Sequence, residues 1–126
     1  MRGISLLFFA TAAIYVAVGM AFGIWMSATQ DHQLAPAHGH LNLIGWVSMA
    51  IFGIYYHLVP QAAAGHLAKL HFGVQTLGLW ILVPGIAMAI QQQGETLAKI
   101  GSMLTILGML IFVFVVLRYR NAPARA

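Results

Sequence analysis

Four stretches of almost unbroken apolar sequence dominate this chain: roughly Ile4 to Met26, His40 to Val59, Leu70 to Ile90 and Leu97 to Leu117. A helix crosses the hydrocarbon of a bilayer in about 20 residues and satisfies its own backbone hydrogen bonds while doing so. Each stretch is therefore expected to be a transmembrane helix. Asp31 and Pro36 mark the first break, Pro60 to Gly65 the second, and the polar run Gln91, Gln92, Gln93, Gly94 and Glu95 the third. The breaks are too short to hold a second fold, so residues 1–126 form a single all-α membrane domain, a four-helix bundle. Composition agrees: 61% of residues are hydrophobic and 6% charged, against about 25% charged in a soluble domain. The first apolar run exceeds the length of a signal-peptide core and is read as a retained helix.

Charge orients the bundle. With the N-terminus inside, Arg2, Lys69, Arg118, Arg120 and Arg125 fall on the cytoplasmic side, whereas Lys99 is outside with both acids, Asp31 and Glu95. Positive residues concentrate on the cytoplasmic side of a membrane protein, which implies an N-in/C-in topology. The net charge of +4 thus reports threading through lipid and gives no reason to expect a nucleic-acid partner. The chain has no cysteine, which excludes disulfides, thiolate metal sites, iron–sulfur clusters and covalent c-type haem attachment. Gly19 and Gly23 form a small-xxx-small step on the first helix, and Gly45, Ala50 and Gly53 lie along the second; such positions let helices approach closely in lipid.

The side chains with obvious cofactor chemistry are six histidines: His32, His38, His40, His57, His66 and His71. The first three lie on the outer side, the others at or beyond the inner end of the second helix. A rise of about 1.5 Å per residue separates His40 from His57 by roughly 25 Å, so those two cannot hold one ligand. His38 and His40 are two residues apart, about 200° around a helix, and point to opposite faces. Polar groups entering a membrane helix face protein interior or serve function, and Asn42 and Trp46 follow one turn further in.

A haem clamped by two histidines needs them at matching depth on different helices. The first and fourth helices contain none, and the third has only His71, on the wrong side. The second axial ligand then comes from within His32 to His40, from another subunit, from a methionine such as Met26 or Met88, or is missing. The arithmetic points to an oligomer or to five-coordinate iron.

The second helix, opened by His38-Gly39-His40 and closed by His57-Leu58-Val59-Pro60, resembles the tenth helix of subunit I of the haem–copper oxidases. Ala68-Lys69-Leu70-His71-Phe72, followed by Pro84, resembles the start of the eleventh, and Asp31 has a counterpart in the preceding loop. The resemblance covers about Asp31 to Pro84 and makes the chain similar to one four-helix arc, helices nine to twelve, of a three-arc protein. It implies that His38 and His40 are axial ligands of haem iron, the first of an oxygen-reactive haem and the second of a low-spin haem. It also implies that His57 and His71 are structural, capping or bonding near the cytoplasmic interface. The family's copper site has no counterpart: four residues past His38 stands Asn42, four past His40 stands Ile44, and the third helix ends in Gln91 to Gln93. No copper is expected, and oxygen reduction by this chain alone is not implied. The three-arc architecture further implies a homotrimer in the inner (plasma) membrane of a bacterium, with haem near the outer, periplasmic face.

The leading expectation is a small b-type cytochrome that transfers electrons to or from a redox partner or binds a diatomic gas such as nitric oxide or oxygen. Two other classes compete with it. A copper- or zinc-handling protein would use His32, His38 and His40, since imidazole suits both metals, although the seven methionines form no Met-x-Met or Met-x-x-Met cluster. A cofactor-free structural subunit of a respiratory complex would use none of them.

Overall fold

The computed structural model describes residues 1–124, so Arg125 of the charge count lies outside the described residues. Every regular element among them is helical: α1 (Gly3–Thr29), α2 (Ala35–His40), a π-helical segment (Leu41–Ser48), α3 (Met49–Leu58), the single turn α4 (Pro60–Ala63), α5 (His66–Ile90) and α6 (Thr96–Arg118). The pieces from α2 to α3 run on as one rod, Ala35–Leu58. With it, α1, α5 and α6 make four helices long and apolar enough to cross a membrane.

The second helix begins five residues before the sequence reading placed it. Pro36 marks its first turn instead of the loop, because proline has the φ of a helix and the first turn requires no amide donor from it. The loop that remains is short. Gln30, at φ 55°, closes α1, and the Asp31 carboxylate accepts a hydrogen bond from the Gln33 amide at 3.0 Å. His38 and His40 consequently stand inside a helix.

Two hairpins make up the molecule. In the first, α1 packs on the π segment and α3; in the second, α5 and α6 pack along each other. The second hairpin is closed by glycines seven residues apart on both helices. Gly85 faces the backbone of Leu97 and Ala98, and Gly101 faces the backbone of Leu82. Gly78 faces Leu104 and Thr105, and Gly108 lies under the Gln75 carboxamide. A β-carbon at Gly85 or Gly101 would overlap main-chain atoms of the opposite helix, so these two positions set the interhelical distance.

At the end where α1 begins and α3 finishes, an aromatic cluster locks the hairpins together. Phe8 of α1 stacks on Tyr56 with ring centroids 5.4 Å apart and meets Phe52 and Phe72 edge-on. Phe112 of α6 reaches Phe52 at 4.4 Å. Within the four spanning stretches only 22–39% of the residues are buried inside the chain. Most of the apolar surface therefore faces outward, toward lipid.

Candidate functional site

The divergence expected of His38 and His40 is what the structure shows. His38 turns inward onto α1. Its Nε2 lies 3.0 Å from the Gly19 carbonyl and 3.0 Å from the Asn42 amide nitrogen. One ring nitrogen cannot donate to the first and accept from the second, so one of these contacts carries the hydrogen bond and the other is proximity. With Nε2–H donating to Gly19, the Asn42 amide still donates to the His38 carbonyl at 3.2 Å. The ring also meets Phe22 edge-on, with centroids 5.7 Å apart.

Gly19 and Gly23 explain how the imidazole gets so close. A β-carbon at Gly19 would collide with the Asn42 carboxamide, and one at Gly23 would lie 3.2 Å from His38 Nε2. The small-xxx-small step thus admits His38 and Asn42 of the same chain.

His40 turns outward. Its ring is exposed, and Nδ1 donates to the Pro36 carbonyl, one turn back, at 2.8 Å. Pro36 has no amide hydrogen, and its carbonyl lies in the first turn. The bond places the proton on Nδ1 and leaves the Nε2 lone pair directed away from the chain. Metal-ligating histidines are commonly held in this way by a backbone carbonyl on the other ring nitrogen.

Immediately after His40 the chain winds as a π-helix for eight residues, Leu41–Ser48. The Ser48 hydroxyl donates to the Leu43 carbonyl at 3.0 Å, five residues back. Gly45 sits inside this segment against Tyr15 and Leu79. The wider winding rotates the histidine pair relative to α3, and π segments in membrane and soluble helices concentrate at functional positions.

The remaining ligand candidates do not gather around His40. Among the described residues no three His, Asp or Glu side chains meet in a way that could hold a metal ion, and His32, His38 and His40 are not gathered into one group. Met26 is 5% exposed, packed within the chain, while the His40 ring faces out.

At the opposite end stands His71, read from the sequence as a structural residue that caps or bonds near the cytoplasmic interface. It is fully buried in the aromatic cluster. Tyr56 Oη and His71 Nδ1 are 3.0 Å apart, and Phe8, Phe52 and Phe112 approach the imidazole with centroids 5.0, 4.6 and 5.6 Å away. Its Nε2 has no hydrogen-bond partner. One turn further along α5, Gln75 is 1% exposed, and its Oε1 over Gly108 is also unpartnered. Gln75 was missed in the sequence, although a glutamine four residues past a histidine inside an apolar span is a readable signal. The role of His71 is to join the hairpins. His71→Ala is expected to open a cavity and to strand the Tyr56 hydroxyl, lowering stability by about 2–4 kcal/mol; a melting midpoint in detergent equal to the parent's would contradict this.

An apolar groove of about 480 Å³ opens between the hairpins, lined by Tyr15, Val18, Leu41, Leu79 and Trp80. The Trp80 indole donates to the Tyr15 hydroxyl at 2.6 Å beside it. Comparison with protein-family models, with curated proteins and with solved structures finds no match to this chain.

Proposed function

We propose that this is a haem-binding membrane protein, a small b-type cytochrome in which His40 supplies an axial imidazole through Nε2. The observation that carries the reading is the 2.8 Å bond from His40 Nδ1 to the Pro36 carbonyl, which prepares an outward-facing lone pair of the kind haem iron takes. Bound haem would supply one-electron chemistry or a coordination position for a diatomic gas. The chain's own part is to hold the imidazole in one tautomer and one orientation. His38 is the second axial candidate; to serve, its ring must leave Gly19 and Asn42.

The same proposal gives the chain an N-in/C-in orientation, because Arg2, Lys69, Arg118 and Arg120 share one end, and places the cofactor near the outer face of a bacterial inner membrane. The resemblance of the stretch Asp31 to Pro84 to one arc of haem–copper oxidase subunit I supports both the ligand assignment and a homotrimer. An exposed ligand on a helix without a facing histidine supports a neighbouring copy as the other wall of the site.

Protein purified in mild detergent from cells supplied with haem is expected to show a Soret band that shifts on reduction. Its mass, corrected for detergent and lipid, is expected to equal three chains. A preparation without a Soret band would overturn the haem reading, and a monomer with its full haem complement would overturn the trimer.

A further inference from the structure

At the end of the molecule opposite His40, the first turn of α1, the last turn of α3 and the short α4 enclose a cleft of about 250 Å³. Arg2, Ser5, His57 and Pro60 line it. The Ser5 hydroxyl donates to the Arg2 carbonyl at 2.7 Å and fixes the backbone that carries the guanidinium. The charge around this cleft is of one sign. Lys69, Arg118 and Arg120 stand exposed at the same end, whereas both acidic side chains, Asp31 and Glu95, are in the loops at the other end. Glu95 is paired there with Lys99 at 3.0 Å. Among the described residues no carboxylate is available to Arg2. One and two residues past Ser5 along α1, toward the middle of the span, Leu6 and Leu7 are 49% and 47% exposed.

We infer that this cleft binds the phosphate of an anionic phospholipid, with the Arg2 guanidinium on the phosphate oxygens and the acyl chains along Leu6 and Leu7. A guanidinium matches phosphate with two parallel N–H donors, and basic recesses between transmembrane helices on the cytoplasmic side are recognised features of lipid-binding proteins. The exposed leucines favour lipid over free phosphate, since inorganic phosphate would leave them without a role. The inference does not depend on haem: the cleft lies at the far end of the second helix from His40.

The test uses the whole protein in detergent, titrated separately with dioleoylphosphatidylglycerol, with dioleoylphosphatidylcholine and with inorganic phosphate. Bound lipid is read by native mass measurement and stability by the melting midpoint. Phosphatidylglycerol is expected to be retained and to raise the midpoint, and the other two are not. Arg2→Gln should weaken phosphatidylglycerol binding about fivefold, the worth of one basic residue at an anionic surface. Arg2→Lys should keep most of the binding, and Lys99→Gln at the other end should keep all of it. Haem content should be the same in all of these variants. Equal retention of the two lipids, parent-like affinity in Arg2→Gln, or a midpoint rise reproduced by inorganic phosphate would each overturn the inference.

Discussion

Replacing His40 with alanine is expected to abolish haem retention, lowering bound haem by at least about a hundredfold, more than the loss of an outer-shell partner of a metal ligand costs. The ring is exposed and, among the described residues, its hydrogen bond is to Pro36, a contact within its own helical turn. Removing it leaves the packing of α1 on the π segment and α3 untouched. His40→Ala should therefore keep its helical circular dichroism and melting midpoint while losing the Soret band, and added imidazole should restore part of the band. His38→Ala should do the reverse. It removes a side chain seated against Gly19, Gly23 and Phe22, so stability should fall by about 1–3 kcal/mol, with haem content or spin state altered less than in His40→Ala. Parent-level haem in His40→Ala would show that the cofactor is held elsewhere.

The second large effect is expected at the glycines between α5 and α6. Gly101→Ala places a methyl group against the main chain of Leu82, and Gly85→Ala places one against Leu97 and Ala98. Backbone atoms of a hydrogen-bonded helix cannot turn away as a side chain can, so the helices must separate along their whole contact. Overpacking of this kind costs about 1–3 kcal/mol and sometimes more. The control is Gly73→Ala, on the same helix α5, where an added β-carbon meets nothing within 4 Å. There the gain in helix propensity, up to about 1 kcal/mol, should raise stability or leave it unchanged. Unfolding of the three variants in a graded detergent mixture separates them. If Gly73→Ala and Gly101→Ala lost stability equally, close approach at Gly101 would not be what sets the hairpin.

Hydropathy alone determined the number, length and approximate limits of the four long helices, because lipid imposes one requirement on every spanning segment: an apolar surface around a self-satisfied backbone. The ends were legible to within a few residues except at Pro36, where a residue that breaks a helix in its middle begins one at its first turn. The divergence of His38 and His40 was legible too, since 200° is a property of the helix and needs no partner. What the spacing did not contain was which of the two faces inward. That depends on where α1 lies, and α1 lies where Gly19 and Gly23 leave room for an imidazole and a carboxamide. The same holds for His71: its depth near one end of the bundle was legible, but its enclosure among Phe8, Phe52, Tyr56 and Phe112 was not, because those rings come from three other helices. The glycines of α5 and α6 follow the pattern: their heptad spacing is visible in the sequence, but their register appears only when two antiparallel helices are laid together. A single chain of residues specifies faces; which face meets which is decided by shape complementarity between helices, because in lipid no difference in hydrophobicity tells one apolar face from another.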